Sequence, residues 1–308
     1  MNTLQPLLPP CPGHRPNAAM FLSGSGSNAE RILEQYRCGE KAGETPPFTI
    51  AALVTDAPRT SRARELAQRF NLPLIAEDIR DFYHRNGEKR VSIATERGQQ
   101  LRQEWTRRLR EQLAPLSISF GIFAGFVPLT NLTRDFPCLN VHPGDLTYRK
   151  DGGRYLTGLH EIPVERAITE GLTFLRSSVI LAGAYSGCGD DMDNGPLLGI
   201  SPEVPVEIGE PERERLRQIA AARPRLRPVG GFGDELQSLA RQYQETLKEH
   251  GDWVVFPPVI RDFADNRFFI EPTGSRLHFR LGDGQFIPIE TVEYSADGSR
   301  ELRLPESN

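Results

Sequence analysis

The chain has 308 residues, of which 38% are hydrophobic and 25% are charged, and its formal net charge is -4 at pH 7. This length allows one large domain or two small ones with a substantial apolar core. The 37 basic and 41 acidic side chains are mixed along the sequence, so no broad basic face for nucleic acid is predicted. We expect a small molecule as the partner.

The cysteines and the apolar runs indicate the compartment. Cys11, Cys38, Cys138 and Cys188 stand far apart, with no CxxC pair, which is typical of free thiols in a reducing environment. No apolar run approaches the roughly 20 residues of a membrane helix, and the first residues lack the order of a secretory signal. The sequence therefore predicts a cytoplasmic protein without a membrane partner.

The first 17 residues are rich in proline, which predicts an extended or disordered leader without helix or strand. From Asn17 onward, strand and helix patterns alternate, and this alternation predicts an α/β fold around a parallel sheet. Strands are predicted at 18–22, 48–54, 72–75, 118–124 and 138–142, and helices at 61–70, 88–113, 212–222 and 234–250. The last part, from Trp253 to Tyr294, alternates like strands.

A glycine-rich loop follows the first predicted strand and opens a helix. It consists of Gly24, Ser25, Gly26, Ser27 and Asn28. Unpaired N–H groups and the helix dipole attract a phosphate or carboxylate at such a position. The sequence Gly24–Ala29 also fits the loose dinucleotide-binding pattern GxGxxA, and Asp56 could then bind a ribose hydroxyl. Alternatively, the loop is only a tight turn in which Ser27 or Asn28 caps the helix.

Asn140 and His142 lie two residues apart at the end of a predicted strand, so both side chains should point to one face. An asparagine amide can donate to an oxyanion and a histidine can handle the proton of an amine, as acyl transfer requires. In isolation such a pair more often makes loop hydrogen bonds. Asp193, in the acidic turn 190–196, can supply a carboxylate that orients the imidazole.

The same acidic turn could bind a hard cation, but it lacks the alternating ligand spacing and the terminal glutamate of a calcium loop. No metal is expected.

Five ordered motifs resemble the folate-dependent formyltransferases, a family that includes enzymes of purine synthesis. They are Ser23–Asn28, Ala124–Phe126, Asn140–Pro143, Gly158–His160 and Asp190–Pro196. A sixth stretch, from Phe256 to Arg267, is similar to the closing helix and turn of that family. The resemblance spans about residues 18–270 and leaves residues 271–308 as a β-rich extension.

The resemblance implies a Rossmann-like formyltransferase fold whose mainly parallel sheet is flanked by helices. It implies 10-formyltetrahydrofolate as the donor, a phosphorylated amine as the acceptor, and Asn140, His142 and Asp193 as the catalytic residues. The residues implied to bind the acceptor are Gly24, Ser25, Gly26, Ser27, Asn28, Gly125 and Asp252. Those implied to bind the folate are Phe126, Val127, Leu129, Cys138, Val141, Asp190 and Asp191.

Several positions depart from the family pattern. Pro128 stands where an arginine is usual, Gly144–Thr147 replaces Ser-Leu-Leu-Pro, and Asp252-Trp253 replaces Glu-His. Insertions are expected near 76–100, 182–188 and 205–233. Gly144, Asp145, Tyr148 and Tyr155 could line a different acceptor pocket or could form a surface loop.

Three other functions are compatible with parts of the sequence. A formyltetrahydrofolate hydrolase would use the same scaffold with water in place of the amine. A nicotinamide-dependent oxidoreductase would use Gly24, Gly26 and Asp56 but leaves Asn140, His142 and the acidic turn without a role. A noncatalytic binding protein would be expected to lack one of the catalytic residues.

For a formyltransferase, the acceptor could be glycinamide ribonucleotide, a sugar nucleotide or a specialised metabolite, and a homodimer is possible.

Overall fold

The computed structural model describes residues 4–159, 161–185, 191–228, 230–273 and 276–305. The helices within these ranges are α1 (Ser27–Lys41), α2 (Ala63–Phe70), α3 (Ile79–Arg85), α4 (Glu96–Leu113), α5 (Ile162–Glu170), α6 (Glu210–Ala222), α7 (Glu235–Leu247) and α8 (Trp253–Ala264). A π-helical turn, Lys248–Asp252, joins α7 to α8.

The strands of the described residues are, in chain order, β1 (Gln5–Pro6), β2 (Asn17–Phe21), β3 (Thr49–Thr55), β4 (Leu74–Ala76), β5 (Phe120–Phe123), β6 (Cys138–His142), β7 (Arg149–Lys150), β8 (Gly153–Arg154), β9 (Phe174–Leu175), β10 (Ser178–Leu181), β11 (Leu197–Ile200), β12 (Val204–Pro205), β13 (Phe268–Ile270), β14 (Leu277–Arg280), β15 (Phe286–Ile289), β16 (Thr291–Tyr294) and β17 (Arg300–Arg303).

The central sheet has the strand order β17-β16-β11-β10-β6-β5-β2-β3-β4. Strands β6, β5, β2, β3 and β4 run parallel, whereas β10 is antiparallel to both of its neighbours. The sheet is therefore mixed and mostly parallel with flanking helices, which confirms the predicted fold class. The chain passes from β2 to β3 on one side and places β5 on the other, and ligands of open α/β sheets bind at such a switch point.

Strand β2 shows how the sheet is covered on both faces. Met20 packs into one apolar cluster with α1, α2 and α8, while Phe21 packs into a second cluster under α3 and α4. Successive strand residues point to opposite faces, so a strand that is covered on both sides reads as a continuous apolar run. The buried face of α4 contains Leu101, Trp105 and Leu109, spaced four residues apart, while its charged residues other than Arg102 are exposed or half-buried.

The N-terminal segment differs from the expected disordered leader. Gln5–Pro6 pairs antiparallel with Phe269–Ile270, and Leu8 is only 1% exposed in the main core. Proline is compatible with a strand at a sheet edge because no neighbour there needs its N–H group. In this structure β1 is the edge of the small sheet β1-β13-β14-β15. The proline-rich sequence therefore does not prevent this segment from forming a strand.

The prediction of strands from Trp253 onward was wrong for its first twelve residues, which form α8. The buried residues of α8 include Val255, Phe256, Val259, Ile260 and Phe263, which follow the helical period and not the period of two. The closing helix implied by the family resemblance lies in this segment. Beyond residue 275, β14 and β15 join the small sheet, while β16 and β17 extend the central one.

Helix α6 lies within the expected insertion at 205–233. It packs with α5 and α7 around a third apolar cluster that contains Leu216, Ile168 and Ala240. Of the expected insertion at 182–188, residues 186–188 lie outside the described residues, and so does Cys188. Cys11, Cys38 and Cys138 carry free thiols.

Candidate active site

A cleft opens at the carboxyl ends of β2, β5 and β6, at the switch point of the sheet. Its volume is about 320 Å³. Its walls are the loop after β2, the loop after β5, the end of β6, the acidic turn and the end of α7. The lining residues are Gly24, Ser25, Gly26, Ser27, Asn28, Ala124, Gly125, Phe126, Val127, Asn140, Val141, His142, Pro143, Gly158, Leu159, Asp193, Gln244, Lys248 and Asp252.

The glycine loop forms one end of the cleft. Gly26 has φ 66°, and a Cβ there would lie 2.9 Å from Leu22 Cδ1 and 3.0 Å from Leu66 Cδ1, so only glycine fits without strain. Gly26 precedes α1, whose N-terminus has no side-chain cap within the described residues. The first N–H groups of α1 are therefore available to a ligand, and the helix dipole favours a negative charge there.

Asn28 lies in the cleft wall, but its side-chain amide already has partners. Its Nδ2 donates to Asp252 Oδ2 at 2.8 Å, and its Oδ1 accepts a hydrogen bond from Trp253 Nε1 at 3.0 Å. Ser177 Oγ donates to the other oxygen of Asp252 at 2.5 Å. Burial raises the pKa of Asp252, and the hydrogen bonds from Ser177 and Asn28 oppose this rise. Asn28 thus positions Asp252, which borders the cleft.

Asp56 does not line the cleft. It is 6% exposed, and its Oδ1 accepts a 2.5 Å hydrogen bond from Ser23 Oγ. Ser23 Oγ in turn accepts from the N–H group of Val127 at 2.9 Å. Asp56 therefore ties the glycine loop to the loop after β5, and its position gives no support to a role in binding a ribose.

Asn140, His142 and Asp193 are brought together at the middle of the cleft. His142 is 3% exposed, and its Nδ1 lies 3.8 Å from Asp193 Oδ1. The Nε2–H group of His142 donates to the carbonyl oxygen of Leu156 at 2.6 Å. Among the described residues, the Asn140 side chain has no hydrogen-bond partner, so its amide can donate to a ligand.

The electrostatic environment of His142 favours the neutral imidazole. Burial is the largest effect and lowers the pKa of His142; Asp193 and the Leu156 carbonyl raise it, while Arg154 and Arg166 lower it. A mechanism that begins with a protonated His142 is therefore disfavoured. Because Nε2 carries the hydrogen that binds Leu156, the lone pair is on Nδ1, which can accept a proton while Asp193 stabilises the resulting charge.

Gly144 is essential to this geometry, a role that differs from the acceptor-pocket position considered for it from the sequence. Its N–H group donates to the carbonyl oxygen of His142 at 2.9 Å. A Cβ on Gly144 would lie 2.5 Å from the Leu156 carbonyl oxygen and 3.0 Å from His142 Nε2. The absence of a side chain lets the carbonyl approach the imidazole.

The rest of the segment after Gly144 does not form a second acceptor pocket in the cleft. Asp145 accepts hydrogen bonds from the N–H and hydroxyl groups of Thr147. The rings of Tyr148 and Tyr155 pack on each other, with centroids 6.1 Å apart, against the cluster around α5. None of these side chains lines the cleft.

The residues expected to bind folate divide into three groups. Phe126, Val127 and Val141 line the cleft. Leu129 packs under α4, and Cys138 is 0% exposed in the same cluster, with its Sγ against Gly121. Cys138 lies at the start of β6 and is not among the residues that line the cleft.

The third group is Asp190 and Asp191. Asp190 lies outside the described residues, and only the backbone of Asp191 is described. His160, from the fourth motif of the family resemblance, also lies outside the described residues.

Gln244 and Lys248 were not predicted from the sequence. Both come from the end of α7 and its π-helical turn, and both line the cleft. The Nζ atom of Lys248 lies 2.6 Å from Glu245 Oε2, and the Lys248 side chain is 20% exposed. No motif marks these residues, and only their position shortly before Asp252 could have suggested them.

No group of three or more His, Cys, Asp or Glu side chains in the described ranges could hold a metal ion. No helix in the described part of the chain is both long and apolar enough to cross a membrane.

No protein-family model and no curated protein sequence matches the chain. Solved structures do match. Glycinamide ribonucleotide transformylase 1 from Symbiobacterium toebii has a TM-score of 0.52 at 21% identity, covering 84% of this chain and 92% of that one. Phosphoribosylglycinamide formyltransferase from Coxiella burnetii has a TM-score of 0.54 at 16% identity, covering 89% and 96%.

A formyltetrahydrofolate deformylase from Pseudomonas syringae pv. tomato also matches, with a TM-score of 0.52 at 11% identity. The match covers 84% of this chain and 65% of the deformylase. At these identities the comparisons establish the fold. The chain therefore has the Rossmann-like fold of the phosphoribosylglycinamide formyltransferases, as the resemblance in its sequence predicted.

Proposed function

We propose that this protein transfers a formyl group from 10-formyltetrahydrofolate to an amine of a small phosphorylated acceptor. The observation that carries the proposal is the convergence of Asn140, His142 and Asp193 on one cleft, which the glycine loop 24–28 also borders. The fold shared with glycinamide ribonucleotide transformylase 1 supports the proposal.

The acceptor phosphate binds at the glycine loop. The uncapped N-terminus of α1 provides N–H groups and a positive dipole end, and Lys248 adds a cation at the same cleft. Asp252 lies beside the loop, where it accepts a hydrogen bond from Asn28 at 2.8 Å. Its remaining lone pairs accept hydrogen bonds from hydroxyl groups of the acceptor. Glycinamide ribonucleotide fits this chemistry, and so does a sugar nucleotide that bears an amine.

The donor lies along the part of the cleft wall that the loop after β5 and the end of β6 provide. Phe126, Val127 and Val141 provide an apolar wall there, which suits an aromatic ring system. The ring of Phe126 is held by Trp105 and Phe21, with centroid distances of 6.3 Å and 5.2 Å. Asp193 of the acidic turn also lines the cleft.

The reaction begins when the acceptor amine attacks the formyl carbon and forms a tetrahedral intermediate. The Asn140 amide donates to the developing oxyanion. His142 takes the proton of the attacking amine on Nδ1, and Asp193 stabilises the imidazolium. The same proton then passes to the departing nitrogen of the folate as the carbon–nitrogen bond breaks.

The deciding experiment is incubation of the protein with 10-formyltetrahydrofolate and a panel of phosphorylated amines. Mass spectrometry should detect a formylated acceptor, and absorbance should follow the release of tetrahydrofolate. The variant His142→Ala should lose both signals. Formylation that persists in this variant, or a full panel without any product, would contradict the proposal.

A second candidate is hydrolysis of the same donor, which the shared fold with the deformylase favours. In that case water takes the place of the amine beside His142. Release of tetrahydrofolate at full rate without any amine would support the hydrolase. Release that depends on the amine would support the transferase.

A further inference from the structure

A second cavity lies behind the acidic turn. It has a volume of about 740 Å³ and lies between Leu146–Arg154, the segment Asn194–Leu197 and the C-terminal strands. It shares no lining residue with the candidate active site. Arg276, Ile289 and Glu290 in its wall belong to the extension that the family resemblance does not cover, so the cavity is a property of this chain.

Three arginines line this cavity, and they face a single carboxylate. The arginines are Arg149, Arg154 and Arg276, and the carboxylate is Glu290. In the part of the chain that the structure describes, none of the three arginines forms an ion pair. This excess of positive charge is local, because the chain as a whole has a formal charge of -4.

Arg154 is the most buried of the three arginines. Its guanidinium donates to the carbonyl oxygen of Asp193, so it joins the cavity to the turn of the candidate active site. Burial lowers the pKa of Arg154, and the nearby charge of Arg149 lowers it further, more than Asp193 and Glu290 raise it. The positive charge of the half-buried Arg154 is therefore stabilised when an anion binds beside it.

The floor of the cavity is apolar. Leu146, Leu197, Leu277 and Ile289 lie in it, and each is less than 9% exposed. A floor of this kind cannot satisfy the guanidinium groups, whose planar N–H donors match phosphate and carboxylate oxygens in pairs. The cavity lining therefore combines three arginines with four buried apolar side chains.

We propose that this cavity is a second ligand site, which binds a small polyanion through Arg149, Arg154 and Arg276. The ligand carries at least two phosphate or carboxylate groups. These two kinds of group offer the same chemistry to arginine, so the ligand can be a phosphoanhydride or a polycarboxylate. The site borders the catalytic turn but is separate from the acceptor phosphate site at the glycine loop.

Calorimetric titration of the full chain with pyrophosphate and with citrate tests the proposal without donor or acceptor present. Binding should weaken about tenfold in Arg149→Ala and in Arg276→Ala, because each variant removes one charge-assisted contact. Both side chains are exposed, so both variants should fold. Arg225→Ala is the matched control, since this exposed arginine lies outside both cavities.

Hydrogen exchange locates the bound anion. Protection is expected in peptides that cover 144–155 and 276–290. Binding of only one of the two anions would identify the ligand as a phosphoanhydride or as a polycarboxylate. The proposal is overturned if neither anion binds, or if binding is unchanged in both arginine variants and is instead lost in Lys248→Ala with protection at 24–28. Because the test needs no turnover, its result is independent of the proposed reaction.

Discussion

The Nε2 atom of His142 lies 2.6 Å from the carbonyl oxygen of Leu156, and this contact determines which nitrogen of the imidazole is free. A carbonyl oxygen can only accept, so Nε2 carries the hydrogen and Nδ1 has the lone pair. Nδ1 is also the atom nearest to Asp193. The backbone of the segment after β6 thereby leaves Nδ1, the nitrogen on the side of Asp193, free to accept a proton.

Gly144→Ala should disturb this contact directly. The new methyl group would meet the Leu156 carbonyl at 2.5 Å and His142 Nε2 at 3.0 Å, so one of them must move. We expect kcat to fall at least tenfold and the free energy of unfolding to fall by about 1–3 kcal/mol. Steady-state kinetics and urea unfolding measure the two effects. Gly282→Ala, which has open space around it, should change neither.

Stability should depend on pH through His142. Burial lowers its pKa in the folded protein below the ordinary value of 6.5, so the unfolded chain binds the proton more readily. The stabilisation is complete above pH 6.5 and is lost as the pH falls below this value toward the folded pKa. Urea unfolding at pH 7.5 and 5.5 should show a larger loss for the wild type than for His142→Gln, by at most about 1.4 kcal/mol per pH unit. Equal losses in the two proteins would contradict the lowered pKa.

Asn140→Ala should affect catalysis and leave the fold intact. Because the side-chain amide has no partner among the described residues, the free energy of unfolding should change by less than about 0.5 kcal/mol. Loss of the donor to the oxyanion should lower kcat by about 10²–10³. Asn140→Asp, which keeps the shape but removes the N–H₂ group, should be equally impaired. Activity in the aspartate variant would show that donation by the amide is not required.

Ser177 and Ser178 form a matched pair for testing the role of Asp252. Both are 0% exposed, but Ser177 Oγ donates to Asp252, whereas Ser178 Oγ accepts from the N–H group of Leu146. Ser177→Ala should raise KM for the acceptor about tenfold with little change in kcat, because a hydrogen bond to a carboxylate contributes about 1.5–3 kcal/mol. Ser178→Ala should leave this KM unchanged. A rise of equal size in both variants would point to a general loss of packing.

Leu8→Ala tests the docking of the N-terminal segment. Leu8 is 1% exposed in the main core, so its truncation should lower the free energy of unfolding by about 2–5 kcal/mol. Leu304→Ala provides the control, because Leu304 is 62% exposed and should contribute little. Thermal and urea unfolding of the two variants give the comparison. Equal stability would mean that the segment does not contribute to the core.

Local patterns predicted much of the central architecture. The apolar run in β5 and the alternation of strands with helices indicated a parallel sheet, because strands covered on both faces need apolar residues at every position. The spacing of Asn140 and His142 placed both side chains on one face of β6, since strand residues alternate. The motif order then connected these residues with Asp193.

Contacts between distant parts of the chain decided what local patterns could not. Leu8 is ordered because residues 268–270 provide a strand edge, and Gly144 matters because the Leu156 carbonyl approaches His142. Lys248 reaches the cleft only because the π-helical turn brings the end of α7 to the glycine loop. The arginines of the second cavity are unremarkable in sequence, since residues 149, 154 and 276 meet only in the folded chain. Sequence determined the parallel strands of the central sheet and the face of β6 that bears Asn140 and His142, because these depend on local apolar runs and strand alternation. Long-range packing decided which other side chains lie near these two residues.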